Sequence, residues 1–130
     1  MATWQDISRE NWEAAKLARD RRFWRSCQSR CYYAIFSAVT HRLCEKRAAF
    51  GGGFETPRHQ ELRGLLKKCL VGELNPRAIG EIVSAVHRVY MSRIDADYRV
   101  GAFVDERTAR NALRDGHGIC RVLGVFDDAG

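Results

Sequence analysis

From Phe23 to Lys46 the chain runs 24 residues without a glycine or a proline. Within that stretch Phe23, Cys27, Cys31, Ala34, Ile35, Ala38 and Val39 recur at intervals of three and four. This is an apolar stripe at helical period. Tyr32, Tyr33 and Phe36 widen it beyond what one neighbour would cover. A helix with so broad an apolar face must be surrounded, which predicts a central member of a helix bundle.

The remaining segments supply the neighbours. Thr3 is a fitting N-cap, with Gln5 and Asp6 in the first turn of a helix reaching about Asp20. Ile7, Asn11, Ala14 or Ala15, and Ala18 trace one side of it, and Trp4, Trp12 and Leu17 enlarge its apolar surface. Gly51-Gly52-Gly53 then breaks the pattern. A phosphate-cradling loop would want Gly-Lys-Ser or Gly-Lys-Thr after it, or a strand before it, so a flexible connection is expected. Thr56-Pro57 reads as a cap followed by the first helical residue, with Leu62, Leu65, Leu66 and Cys69 as a short buried stripe ended by Gly72. Asn75-Pro76 repeats the signal for a helix carrying Ile79, Ile82, Val83, Val86, Tyr90 and Ile94 to about Asp97. Asp105 or a neighbour opens the last helix, with Ala109, Ala112, Leu113, Cys120 and Leu123 on one face. Gly116 and Gly118, either side of His117, predict a kink or stop there. The tail, 127–130, is expected to fray. No strand pattern or repeat is present, and short connections imply antiparallel neighbours. The expected fold is all-α: one domain over 1–130, an antiparallel bundle of four long helices plus a shorter fifth.

Composition narrows the function. A chain of 130 residues can bury a core without disulfides. The five cysteines, Cys27, Cys31, Cys44, Cys69 and Cys120, are odd in number and form no CxxC pair, so buried free thiols are expected. Cys27 and Cys31, four apart on one helix, point the same way and do not bridge easily. His41 and Cys44 stand three apart, but no second ligand pair accompanies them, and neither a metal nor another cofactor is expected. No leader or membrane-spanning run is seen, and a cytoplasmic location is expected. The net charge of +6 favours a polyanionic partner. Lys16, Arg19, Arg21, Arg22, Arg25 and Arg30 crowd into 15 residues, as a phosphate-binding surface or a solvated helix end.

Two segments stand out together: Ser29-Arg30-Cys31-Tyr32-Tyr33-Ala34 in the second helix, and Arg93-Ile94-Asp95-Ala96-Asp97-Tyr98 closing the fourth, with His59 between them at the opening of the third. In this order, over roughly residues 8 to 125, they resemble the HEPN family of small helical bundles associated with nucleotides and RNA. The resemblance implies a ligand site built from Arg93, Asp97, Tyr98, Ser29, Arg30, Tyr33 and His59. The family's main chemistry is metal-independent RNA cleavage by an Arg followed, after four to six residues, by a His. After Arg93 that His is absent, and Asp97 would repel phosphate rather than donate a proton. Arg110 and His117, with six residues between them and two helical turns apart, form a second candidate catalytic pair. The same residues also have structural readings. The tyrosines suit a bundle core, Arg30 or Arg93 can pair with Asp97, Ser29 can bond to its own helix, and His59 can cap or pack. The resemblance further implies a partner role beside a small nucleotidyltransferase in a toxin–antitoxin or defence-type pair, with RNA or a nucleotide as ligand. A metal-independent RNase toxin and a purely structural dimerisation module are the alternatives. A homodimer is expected, through a face that includes the second or fourth helix.

Overall fold

A computed structural model describes residues 1–125. They form α1 (Trp4–Asp20), α2 (Trp24–Glu45), α3 (His59–Leu70), α4 (Pro76–Tyr98) and α5 (Glu106–Leu123). Four of these are long, and α3, with 12 residues, is the short one. Among the described residues there is no strand, only an isolated bridge between Val71 and Leu74. Among the described residues no helix is long and apolar enough to cross a membrane.

Helix α2 is the hub. Cys27, Cys31, Ala34, Ile35, Ala38, Val39 and Leu43 are buried along it, and it packs against every other helix. Side-chain bonds fix the directions. Ser8 and Asn11 of α1 meet Ala34 and Arg30 of α2, so these two helices are antiparallel. Arg25 of α2 meets Asp95 and Ala96 of α4 while Tyr32, further along α2, meets Tyr90, again antiparallel. Gln28 and Cys31 meet Thr108 and Ala112, so α5 runs in the same direction as α2. The buried Gln28 amide donates to the Ser92 carbonyl at 2.9 Å and accepts from the Thr108 hydroxyl at 2.6 Å. Both ends of a group that would be costly to bury unpaired are thus matched, and three helices are tied in register.

The caps mostly follow the sequence. Thr3 and Asp6 form a capping box, Asn75 accepts from Ala78 N–H at 2.8 Å ahead of Pro76, and Asp105 caps α5 with Thr108. Three expectations about helix starts and buried faces need correction. Helix α3 starts at His59 with Arg58 as its N-cap, because Pro57 is buried outside the helix and Arg58 is extended. The buried line of α1 is Ser8, Trp12, Ala15 and Ala18, one position round from Ile7 and Asn11, and Leu17 is exposed. Phe23 precedes α2 as its exposed N-cap rather than joining its stripe. The triglycine segment is a 3-10 turn held by Gly51 N–H on Glu61 Oε2 at 3.0 Å, with Gly52 and Gly53 at φ 74° and 70°.

Helix α5 neither kinks nor stops at Gly116. It continues to Leu123 and ends at Gly124 in the left-handed region. Gly116 is a contact point: a Cβ there would lie 2.9 Å from Cys31 Sγ, 3.0 Å from Trp12 Cζ3 and 3.1 Å from Ile35 Cδ1. A glycine that weakens the helix locally is what allows α5 to approach α1 and α2 this closely. Of the cysteines, Cys27, Cys31 and Cys120 are buried, Cys69 is half-buried and Cys44 is exposed, so burial of all five is not what the fold shows. Burial pushes the Cys27 thiol up to about 11 and Cys31 well above the ordinary value. The tail at 127–130 lies outside the described residues.

Gly116→Ala should lower stability in urea unfolding by about 1–3 kcal/mol through overpacking. Gly118→Ala, whose Cβ meets nothing within 4 Å, should leave it unchanged or raise it by up to about 1 kcal/mol. Equal loss in both would refute the close-contact role. In native protein a thiol reagent should modify Cys44 quickly, and Cys27 and Cys31 only on unfolding.

Candidate functional site

The last two turns of α4 bring Arg93, Asp97 and Tyr98 to the bundle end where α2 begins, because the two helices are antiparallel. Arg93 Nε donates to Asp97 Oδ2 at 3.2 Å, and Arg93 Nη2 donates to the hydroxyls of Tyr33 at 2.9 Å and Tyr98 at 3.2 Å. Asp97 Oδ2 also accepts from Ser29 Oγ at 3.0 Å. The guanidinium carbon lies 5.7, 5.3 and 5.1 Å from the ring centres of Tyr32, Tyr33 and Tyr98, so three aromatic faces enclose the charge. The Arg93 side chain is 16% exposed. Burial by itself works against the cation. Tyr33, Tyr98 and Asp97 outweigh it and hold Arg93 above its ordinary value. Arg93 Nη1 has no acceptor among the described residues.

Tyr32 continues the cluster toward α3. Its hydroxyl is 3.3 Å from His59 Nδ1, with the donor set by the imidazole tautomer. Burial, only partly offset by Arg93, raises the Tyr32 phenol above its ordinary value and keeps it protonated. His59 stacks on Tyr90 with ring centres 3.6 Å apart and planes 12° from parallel, and His87 follows at 6.1 Å. Burial, then the nearby His87, lowers the pKa of His59.

The basic run on α1 and α2 does not form one surface. Arg25 turns inward and donates to the carbonyls of Asp95, Ala96, Arg99, Val100 and Ala102 at 3.0–3.3 Å. It thereby satisfies the open carbonyls at the end of α4 and fixes the connection to α5. Arg19 pairs with Asp20 at 3.0 Å. Arg30 donates to Asn11 Oδ1 at 3.3 Å and lies 6.0 Å from the Tyr33 ring.

Six expected site residues therefore meet in one place: Arg93, Asp97, Tyr98, Ser29, Tyr33 and, at the edge, Arg30. His59 joins through Tyr32. Ser29 bonds across to α4 instead of to its own helix, and it is Arg93, not Arg30, that pairs with Asp97. Arg110 and His117 lie elsewhere, lining a shallow cavity of about 280 Å³ between α1 and α5 with Lys16, Arg19 and Arg114. Arg110 Nε donates to Glu106 Oε2 at 3.3 Å, and His117 faces Trp12 at 6.4 Å. His41 Nε2 is 3.6 Å from Glu45, and no three potential metal ligands converge among the described residues.

Sequence reasoning missed Tyr90, His87 and Arg25 as parts of this end of the molecule. The first two carried a signal, being three apart on one face of α4. Arg25 carried none, because its carbonyl partners are non-local and any residue type supplies a carbonyl.

In comparisons with known proteins, the HEPN domain family model matches residues 1–125. No curated protein matches the chain.

The lowered pKa of His59 sets a sign for pH dependence. The unfolded chain binds a proton first, so the stability contributed by neutral His59 is present above about pH 6.5 and is lost as pH falls toward the folded value. Thermal unfolding temperature should fall between about pH 7 and about pH 5, and less so in His59→Gln. Identical profiles in the two proteins would show that His59 is not the titrating group.

Proposed function

The chain belongs to the HEPN domain family, and on that premise we propose that it is a nucleotide- or RNA-associated module whose anion site is the Arg93 cluster. One observation carries the reading: a guanidinium enclosed by three tyrosines and held by Asp97, whose Nη1 has no acceptor among the described residues. A planar cation in a low-dielectric aromatic setting is well suited to a phosphate oxygen. Asp97, fixed by Ser29, orients Arg93 and does not itself touch phosphate. Tyr98, 67% exposed, offers a ring and a hydroxyl to the same ligand. The finer part of the proposal comes from the Ser-Arg-x-Tyr-Tyr and Arg-x-x-x-Asp-Tyr motifs. The module acts as a homodimer beside a nucleotidyltransferase partner, in a toxin–antitoxin or defence-type pair.

A second reading is supported by the shared cavity of Arg110 and His117. There the imidazole would move the proton and Arg110, with Arg114 and Lys16, would hold the phosphate, as in metal-independent RNA cleavage. Arg110 and His117 lie between α1 and α5 and Arg93 between α2 and α4, so the readings separate experimentally.

Arg93→Ala should weaken binding of single-stranded RNA or a nucleotide at least about tenfold, a loss of about 1.4 kcal/mol, while helical content by circular dichroism is unchanged. The wild type should leave RNA intact in chelator. Cleavage that Arg110→Ala and His117→Ala abolish would replace this reading with the second. Light scattering at high concentration should give twice the chain mass, and a strict monomer would remove the dimer from the proposal.

A further inference from the structure

Three large apolar side chains stand in water at the end of the bundle where α1 and α4 finish and α2 and α5 begin. Val100 and Phe103, in the connection between α4 and α5, are 93% and 81% exposed. Phe23, in the turn between α1 and α2, is exposed as well. The backbone that carries them is held in place. Arg25, two residues after Phe23, donates to the carbonyls of Arg99, Val100 and Ala102 at 3.0–3.3 Å and so ties the two connections together. Apolar groups held out in this way mark a contact surface.

The same end carries charge. Arg21, Arg22 and Arg107 are exposed, with no carboxylate within ion-pairing distance among the described residues. The acids nearby are already taken. Asp20 pairs with Arg19, Asp95 with Arg99, Asp97 with Arg93 and Glu106 with Arg110, and Asp105 caps α5. Arg22 holds φ 61°, a left-handed conformation that glycine takes freely and arginine only at a cost. An arginine kept where the backbone would favour glycine points to a use for its side chain outside the fold.

We propose that this end of the bundle docks on an anionic membrane surface, with Phe23, Val100 and Phe103 entering the headgroup region and Arg21, Arg22 and Arg107 on the lipid phosphates. Two observations favour a lipid surface over a protein. The apolar residues are tips on two separate connections rather than the lining of one pocket, whereas a protein hot spot is a packed, contiguous cluster. Aromatic tips beside unmatched arginines also suit the boundary between headgroups and acyl chains, where a ring is buried and a guanidinium stays hydrated among phosphates. Contact of this kind needs no spanning helix. The surface goes beyond the Arg93 reading and uses none of the residues assigned there.

Co-sedimentation with large vesicles tests it. Vesicles of phosphatidylcholine with about 30% phosphatidylglycerol should bind the protein at least about tenfold more tightly than phosphatidylcholine alone, and high salt should narrow the difference. The double variant Phe23→Ser/Phe103→Ser should weaken binding to the anionic vesicles at least about tenfold. Its helical content and its RNA binding through Arg93 should be unaltered, so failure here is distinct from failure of the Arg93 site. Arg22→Gly should weaken vesicle binding at least about threefold while the unfolding temperature stays the same or rises, which separates a charge kept for lipid from one kept for folding. No binding to the anionic vesicles at millimolar lipid would overturn the proposal. So would binding that the double phenylalanine variant leaves intact, since net charge alone would then explain it. A double variant that changes only its oligomeric mass would overturn it too, because a second copy would then be the occupant.

Discussion

The molecule depends on one constraint: α2 must be buried on nearly all sides. Eleven of its residues are buried, and all four other helices lie against it. Such a helix leaves little freedom to its neighbours. A large apolar circumference in water is costly, and covering it by four helices fixes their places and directions. Polar groups caught in that burial are matched in ways that also set register, as Gln28 does between Ser92 and Thr108. The approach of α5 sharpens the point. At Gly116 the backbone itself forms the contact surface for Cys31, Trp12 and Ile35.

The candidate site follows from that packing. Ser29, Tyr32 and Tyr33 sit on the edge of α2 that turns to α4, and the antiparallel pairing brings Arg93 and Asp97 opposite them. Arg93 is little exposed, so its charge needs partners near at hand, and Asp97 with two phenols supplies them. A partly shielded pair of this kind, with side chains 16% and 28% exposed, is weak evidence for stability on its own, since desolvation offsets much of the attraction. Its geometry is better explained as orientation: Nε and Nη2 are fixed, and Nη1 has no acceptor among the described residues. Arg25 supports the arrangement from behind. By satisfying five carbonyls at the end of α4, it fixes the backbone that carries Tyr98 and leads to α5.

Much of the fold was legible because its signals were local. Thr3, Asn75-Pro76 and Asp105 announced helix starts, and the three-and-four spacing on α2 and α4 announced the core. The errors share a cause in tertiary context. Pro57 suited a first helical position by propensity, yet its ring is buried ahead of the helix. Gly116 looked like a break because a glycine's packing partners cannot be seen from its own segment. At the site, the i, i+4 pair Arg93–Asp97 was readable from spacing, and Tyr33, Ser29 and His59 entered only through motif resemblance. Arg25 was counted with a basic surface and turned out to face backbone, since nothing local marks which arginines point inward.

The central claim is that Arg93 is oriented by Asp97 so that an anion meets its open edge. Nuclear magnetic resonance of the arginine side chains during titration with a short single-stranded RNA tests it most directly. The account predicts that the Arg93 guanidinium signals shift with saturation while those of Arg110 hold still. Shifts confined to Arg110 and Arg114, with Arg93 unmoved at saturating RNA, would contradict it.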